Sequence, residues 1–448
     1  MSRRSSKAGA DHAGRLTQRR IFAFWSPLAA TWLMMAAEGP FLAAVIARLG
    51  EPTHNLAAFG VALAIAMTVE APVIMMMSAA TALVRDRQSL LALRRFAWVL
   101  NGGITVVMVL VLLPPVFRLV ALDILGLPGP VERLAYQGVA VLLPWPAAIG
   151  YRRFYQGLLI RHHLTRRVAW GTVVRLATMA ITALVLSTAT SAPGVTVGTA
   201  ALALGVVAEA MASRLMAARV ARKLLERDAE PGEALTGAVI RRFYAPLAAT
   251  SLLALGLQPL LTLFLARSRL PVESLAVLPV LNGLLFMLRS PGIGFQEAAL
   301  ALAGERRENL RALRRFAVSL GAGLSGTLAV IAFTPLARLW FEGVTGLPPA
   351  LATLAAGPTR LLVAMPALEV LLALQRALLL VGRNTRPITV ATGLEVAVVA
   401  VALAALTGPV GLIGIVAVGV ALPCGRVVAN LYLRSRLRGS TAGASARA

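Results

Sequence analysis

Seven ionisable side chains interrupt the long apolar runs of this 448-residue sequence. An ionised side chain at the centre of a bilayer costs roughly 2.5–3.5 kcal/mol on insertion scales, so such residues are usually functional or paired inside a bundle. We expect them to line a cleft and to contact a substrate or a coupling ion there, the alternative being local pairing within each bundle. The seven are Glu38, Glu70, Arg175, Glu209, Arg289, Glu369 and Glu395.

A second group of charges lies nearer the predicted cytoplasmic ends of the apolar runs. Its members are Arg152, Arg153, Glu297, Arg376 and Arg426. Long arginine side chains bury their aliphatic stems and extend the guanidinium towards water. The arginines of this group are therefore interpreted as snorkelling side chains.

The elements that must position these charges are membrane helices. Hydrophobic residues make up 58% of the chain and charged residues 14%, against roughly 25% charged residues in soluble proteins. The mean hydropathy is +0.78. Apolar runs of about 20 residues, the length that crosses a bilayer, recur throughout, and backbone polar groups in lipid must be satisfied within each segment. The prediction is an all-α polytopic membrane protein of about twelve transmembrane helices.

The predicted spans fall into two sets of six. They are 21–47, 56–83, 96–121, 135–160, 168–188 and 197–218, then 243–266, 274–302, 316–340, 359–381, 388–407 and 411–433. The corresponding regions are a basic tail at 1–20, a six-helix bundle at 21–220, a linker at 221–242, a second bundle at 243–433 and a tail at 434–448.

The two halves repeat each other in sequence. FWSPLAATWLMMAAEGPFLAAVIAR at 24–48 and FYAPLAATSLLALGLQPLLTLFLAR at 243–267 share eleven of twenty-five positions. ALRRFA occurs at 92–97 and 312–317, and GLP at 126–128 and 346–348. Because each half has an even number of spans, both enter from the same side, and the repeat is parallel about an axis along the membrane normal. Two such bundles enclose a cleft and can rock to give alternating access.

The repeat places opposite charges at equivalent positions. Glu70 corresponds to Arg289, and Arg175 corresponds to Glu395. Equivalent positions of a parallel repeat lie at equal depth, so we expect pairing across the cleft, Glu70 with Arg289 in particular. Separate local partners for each charge are the alternative.

Four prolines at equivalent places are candidate hinges. A proline inside a helix removes one backbone hydrogen bond and can bend the helix. The four are Pro40, Pro72, Pro259 and Pro291.

The distribution of basic residues predicts the orientation and the compartment. The formal net charge is +25, and the basic residues concentrate in the tails and in alternate short loops. This pattern is the positive-inside rule rather than a nucleic-acid surface. We expect an integral protein of the plasma (bacterial inner) membrane, with both termini cytoplasmic and no nucleic-acid partner.

Metal, cofactor and nucleotide chemistry are not expected. The chain has one cysteine, Cys424, and four histidines without metal-ligand spacing. A phosphate-binding GxxxxGK[ST] loop is absent, as are the HExxH and GxSxG signatures of enzymes. An intramembrane enzyme and a pure scaffold or channel are therefore less favoured than an ion-driven transporter.

The sequence resembles one known superfamily over nearly its whole length. LLLVGRNTRPITV at 378–390 and FYQGLLIRHHLTRR at 154–167 are similar to a step that recurs in each half of MATE-like proteins. The openings FWSPLAAT and FYAPLAAT resemble the progressive-ankylosis type of transporter. The resemblance is to the multidrug/oligosaccharidyl-lipid/polysaccharide (MOP) exporter superfamily.

The resemblance implies a secondary active exporter driven by H⁺ or Na⁺. Glu38 matches, by span, the acidic residue of the first span that couples the ion in many MATE proteins. The substrate would be a small molecule, with a lipid or lipid-linked glycan flippase as the alternative, and we expect a monomer in the lipid bilayer.

Overall fold

The computed structural model describes residues 16–226, 235–304, 309–382 and 385–445, and their regular elements are helices. Within this described part, ten helices are long and apolar enough to cross a membrane, and a bent pair of helices makes an eleventh span. A second helix pair, Gly129–Val141 with Trp145–Arg161, occupies the equivalent place in the first half. The chain is thus an integral membrane protein built from two sets of six spans.

The spans are numbered in chain order. In the first half, span 1 is Gln18–Ala47, span 2 Pro52–Leu83, span 3 Arg87–Leu112, span 4 Gly129–Val141 with Trp145–Arg161, span 5 Thr165–Ala189 and span 6 Gly194–Leu225. In the second half, span 7 is Gly237–Ala266, span 8 Pro271–Leu302, span 9 Leu310–Phe333, span 10 Pro349–Leu361 with Met365–Val381, span 11 Arg386–Thr407 and span 12 Gly414–Arg438.

The sequence repeat is reproduced in the backbone. Span 1 breaks at Ala37 and span 7 at the equivalent Gly256. Spans 2 and 8 both begin with a proline, and each proline follows a residue with left-handed backbone, Glu51 (φ 50°) and Leu270 (φ 53°). A non-glycine residue in that region is uncommon. Its recurrence at equivalent places confirms that the two halves share one fold.

The connection after spans 3 and 9 is more irregular than predicted. The helices end at Leu112 and Phe333, whereas the predicted spans continued to 121 and 340. A proline pair begins at Pro114, and Pro335 lies at the matching place; a proline cannot donate the hydrogen bond that would continue the helix. Each chain then forms a short π-helical segment, Leu119–Ile124 and Leu339–Val344.

The spans differ in how much protein surrounds them. About three-fifths of the apolar stretch is buried in spans 6 and 12 (61% each) and slightly less in spans 2 and 8 (56% each). Spans 3, 5 and 11 bury only 22% of theirs and expose large side chains such as Trp98 and Ile181. Spans 2, 6, 8 and 12 therefore form the interior, and the lipid-facing layer is made by the others.

Spans 1 and 7 cross between the two bundles. Beyond the breaks, the segments 38–47 and 257–266 stay with their own halves; Ile46, for example, packs against Gly198 of span 6. The cytoplasmic parts pack on the opposite bundle. Trp25 donates its indole N–H to the carbonyl of Pro291 at 2.9 Å, and the equivalent Tyr244 donates its hydroxyl to the carbonyl of Pro72 at 2.6 Å. This reciprocal exchange is what a parallel two-fold repeat requires.

Candidate functional site: two charged clusters in the membrane

The first half holds a continuous chain of charges. Arg175 of span 5 is paired with Glu38, the residue that follows the break in span 1. The same guanidinium lies 3.6 Å from the Glu209 carboxylate of span 6, and Arg152 of span 4 pairs with that carboxylate too. Gln156 donates its amide to the other Glu209 oxygen at 3.0 Å. Four spans are thus joined through one charged chain that excludes water almost completely, since Arg152 is 4% and Glu209 1% exposed.

Glu70 lies beside this chain but is not bonded to it. Its carboxylate is buried, and within the described residues one of its oxygens has no hydrogen-bond partner. The charges that act on it most strongly are those of Arg152, Arg153 and Arg175. Arg153 in turn contacts only a sulfur atom, that of Met77 at 3.7 Å, and its Nε has no partner. Glu70 is therefore a carboxylate with free acceptor capacity inside the first bundle.

The second half holds its own cluster around Glu369 of span 10. Arg289 of span 8 donates Nε to Glu369 at 2.8 Å, and Arg426 of span 12 pairs with the same carboxylate. Arg426 also donates Nε to Glu395 of span 11 at 2.8 Å. Arg376 is nearby and donates to the Thr392 hydroxyl at 3.3 Å. Four spans are again joined, this time with glutamates as the shared acceptors.

The two clusters differ in charge and in exposure. The first contains three glutamates and three arginines, whereas the second contains Glu369 and Glu395 against Arg289, Arg376 and Arg426, which leaves one positive charge uncompensated. Arg289 is the accessible member, with 23% of its side chain exposed against 7% for Glu369. A ligand that reaches the second cluster would therefore meet the Arg289 guanidinium first.

The predicted pairing across the cleft is wrong for both pairs. Arg289 binds Glu369 of its own bundle instead of Glu70. Arg175 binds Glu38 and Glu209, and Glu395 binds Arg426. Equivalent depth is necessary for contact but not sufficient, because a buried charge takes the nearest opposite charge and each bundle supplies one. All seven predicted residues lie in the two clusters, and their roles in binding stay predictions.

The interpretation of the cytoplasmic-end arginines as snorkelling side chains is wrong for Arg152 and Arg426. Both are buried, at 4% and 7% exposed, and both are ion-paired. A signal for them was present in the sequence, since the seven candidates comprise five glutamates and only two arginines. Five carboxylates at membrane depth need more than two cations, and these arginines on the neighbouring spans supply them.

The four predicted hinge prolines occupy different surroundings. Pro40 and Pro259 follow the breaks in spans 1 and 7 within one turn. Pro72 lies in a 3₁₀ segment, Ala71–Val73, that interrupts span 2. Pro291, in contrast, lies inside the uninterrupted helix of span 8. Three of the four positions therefore coincide with a helix interruption, and movement about them stays a prediction.

The described residues contain no group of three or more His, Cys, Asp or Glu side chains that could hold a metal ion. The polar chemistry within the bundles of the described chain is therefore that of carboxylates, guanidinium groups and amides.

Two broken, exchanged first spans, two six-helix bundles and a charged cluster in each define a class of membrane protein. The solved structures that this fold resembles are transporters. An inward-facing multidrug resistance MATE family transporter of the MOP superfamily matches with a TM-score of 0.73 and 15% identity, over 92% of this chain and 95% of that one. The chain therefore has the fold of MOP-superfamily transporters.

Two further structures place the conformation. The lipid II flippase MurJ in an inward closed conformation matches with a TM-score of 0.69 and 11% identity, over 92% of this chain and 87% of that one. An outward-facing MATE family transporter matches with 0.62 and 15% identity, over 95% and 97%. Fold similarity is thus greater to the two inward conformations. No protein-family model matches the sequence, and no curated protein matches it.

Proposed function

We propose that this protein is a secondary active exporter that moves a small molecule across the plasma (bacterial inner) membrane by alternating access. The observation that supports it best is the buried chain from Glu38 to Arg152, which joins four spans through charges. A bundle that served only as a scaffold would be at least as stable with apolar residues there, because desolvating ion pairs is costly. The fold shared with MATE transporters supports the same function.

The coupling ion of this proposal is H⁺ or Na⁺, and its site is the first cluster. Glu38 has one buried oxygen without a partner, and Glu70 has another. These acceptors can take a proton or a cation. Coupling requires that occupancy differ between the inward and outward states, and the break at Ala37 beside Glu38 is a place where the local structure can change.

The basic residues of the tails and alternate loops support an orientation with both termini in the cytoplasm. A single chain already holds both bundles and both clusters, so the functional unit of the proposal is a monomer in the bilayer. The proposed role needs neither a bound cofactor nor catalysis.

The test is transport by purified protein in liposomes. An imposed pH or Na⁺ gradient should drive movement of at least one compound from a panel of organic cations and anions, and addition of that compound should in turn move the ion. Glu342→Gln is the matched control, because Glu342 pairs with Arg338 at the protein surface, outside both clusters. Movement of compounds that does not respond to either gradient would contradict the proposal.

A second candidate is a flippase for a lipid or lipid-linked glycan with an anionic headgroup. It is favoured by the uncompensated positive charge of the second cluster and by the exposure of Arg289. The measurement that separates it from the exporter is translocation of a fluorescent anionic phospholipid in the same liposomes. Translocation that Arg289→Gln abolishes would favour the flippase, and unchanged lipid distribution would favour the exporter.

A further inference from the structure

Two arginines outside the charged clusters bridge the bundles at one membrane face. Arg48, at the end of span 1, donates Nη2 to the carbonyls of Gly343 and Val344 at 2.8 and 3.0 Å. Arg267, at the end of span 7, donates Nη2 to the carbonyls of Asp123 and Ile124 at 2.9 and 2.6 Å. The two arginines are equivalent in the repeat, and each crosses to the other half. The contact is therefore reciprocal.

The acceptors are the carbonyl ends of distorted helices. The four carbonyls belong to the last residues of the π-helical segments Leu119–Ile124 and Leu339–Val344. Terminal carbonyls lack partners within their own helix and carry partial negative charge, which attracts a cation. An arginine fork is suited to two adjacent carbonyl oxygens in a way that a lysine ammonium is not.

The loop after each π segment is shaped to receive the guanidinium. The repeated GLP sequence begins with Gly126 and Gly346, which have φ of 73° and 71°. A Cβ built on Gly346 would lie 2.9 Å from the Arg48 guanidinium, and one on Gly126 would lie 3.3 Å from the Arg267 side chain. Both the backbone conformation and the close approach require glycine. The recurrence of this loop in both halves indicates a receptor for the arginine of the opposite half.

Other arginines at this face do not cross. Arg338 pairs with Glu342 four residues away, Arg269 donates to the carbonyl of Gly411, and Arg360 donates to the carbonyl of Ala332. Each of these contacts stays within the second half. Arg48 and Arg267 are both exposed at their bridges, so water can replace their bonds, which a contact that opens and closes in every cycle requires.

The bundles are in close contact beneath the bridges. A Cβ built on Gly283 of span 8 would lie 3.0 Å from Pro40 of span 1, and one on Gly60 of span 2 would lie 3.5 Å from Pro279 of span 8. The cleft is therefore closed at the face that carries the loops after spans 1, 3, 7 and 9.

We propose that Arg48 and Arg267 are gating residues of the transport cycle, which hold this face closed through reciprocal bonds to the carbonyl ends of the opposite bundle. The inference rests on the proposed alternating access. In it, all four bonds break when the face opens, and the inward-facing state loses its population when they are removed. Under the positive-inside orientation this face is the outer one.

The experiment measures accessibility and needs no substrate. In a Cys424→Ala background, Gly60→Cys places a thiol against Pro279, where a water-soluble maleimide applied to intact cells reaches it only when the face opens. A hydrogen bond to a charged group shifts an equilibrium by roughly tenfold or more. Arg48→Gln and Arg267→Gln should each raise the labelling rate by about that factor, and the double variant should raise it further.

Controls separate gating from damage. Arg338→Gln, at the same face, should leave the rate unchanged, and Glu51→Cys, a fully accessible thiol, should label equally in every background. Arg48→Lys should give a smaller increase than Arg48→Gln. An unchanged Gly60→Cys rate in a monodisperse double variant, or an equal increase in Arg338→Gln, overturns the inference. Because labelling is read without transport, absence of any transported compound would refute the exporter and leave this result intact.

Discussion

At the scale of single residues, the chemistry is set by which buried carboxylates have partners. Glu369 accepts from two arginines, and Glu209 from two arginines and a glutamine. Glu38 has one partner and one free oxygen, and Glu70 has no ion pair among the described residues. Removal of one partner of a buried pair leaves an uncompensated charge, whereas removal of an unpaired charge relieves one. The glutamates should therefore respond differently to neutralisation.

Glu38→Gln should abolish gradient-driven transport while the protein stays folded. The amide keeps a hydrogen-bond acceptor for Arg175, which retains Glu209 as a second partner, but it cannot take up a proton or hold a cation. The expected loss of transport rate is at least roughly tenfold. The measurement is uptake into inverted membrane vesicles at several pH values, with the elution profile in detergent as the folding control. Full transport at every pH would exclude Glu38 from coupling.

Neutralisation of Glu369 and of Glu70 should have opposite consequences for stability. Glu369→Gln leaves Arg289 and Arg426 without their shared acceptor and should cost about 3–5 kcal/mol. Glu70→Gln removes a desolvated carboxylate without an ion pair and should leave stability unchanged or raise it. The midpoint of thermal unfolding in detergent, followed by the monodisperse fraction, measures both. A large decrease for Glu70→Gln would show that Glu70 has a stabilising partner.

At the scale of the elements, local hydrogen bonding decides which helices bend. Pro72 and Pro291 are equivalent, but only span 2 is interrupted. Pro291 leaves the carbonyl of Met287 without its helical donor, and the Ser290 hydroxyl donates to that carbonyl at 3.0 Å. Ala71, at the matching place before Pro72, has no hydroxyl. The serine thus lets span 8 continue as one helix through its proline.

Helix approach in the first bundle depends on particular glycines. A Cβ on Gly157 of span 4 would lie 2.6 Å from the Met77 carbonyl of span 2, which is backbone and cannot move aside. Gly157→Ala should therefore destabilise the protein by about 1–3 kcal/mol through overpacking. Gly102 of span 3 is the matched control, since a Cβ there meets nothing within 4 Å.

In the same thermal-unfolding assay, Gly102→Ala should be neutral or stabilising by up to about 1 kcal/mol, because alanine is the better helix former. Equal effects of the two substitutions would contradict the packing of span 4 against the second part of span 2.

At the scale of the whole molecule, the parallel two-fold repeat makes cross-bundle contacts come in pairs. Trp25 and Tyr244 exchange between bundles, and so do Arg48 and Arg267. The charged clusters escape this symmetry, since Glu70 stands opposite Arg289 in the repeat. One bundle is thereby neutral in its interior and the other positive, so a duplicated scaffold carries two different kinds of site.

The orientation of the whole molecule has a direct test. In the Cys424→Ala background, Glu51→Cys in the loop after span 1 should react with an impermeant maleimide in intact cells, because its side chain is 78% exposed. His163→Cys, in the basic loop after span 4, should react only after the membrane is permeabilised. The reverse pattern would place both termini outside and contradict the positive-inside interpretation.

The sequence by itself determined the class of fold. Apolar runs of spanning length, one shared register between halves and an even number of spans in each half predict two parallel six-helix bundles, because all three depend on chain length and local pattern. It also located the seven buried charges, since an ionisable residue inside an apolar run is too costly to be left in contact with lipid. Those conclusions need no knowledge of which helices touch.

The tertiary structure decided the partners. Depth follows from position along a span, but lateral distance follows from packing, and packing gave Arg289 to Glu369 and Arg175 to Glu38 and Glu209. It also brought Arg152 and Arg426 inside, where their carboxylates lie. The exchange of spans 1 and 7 was likewise beyond the sequence, because a broken helix can pack on either bundle and only the summed contacts of both determine which.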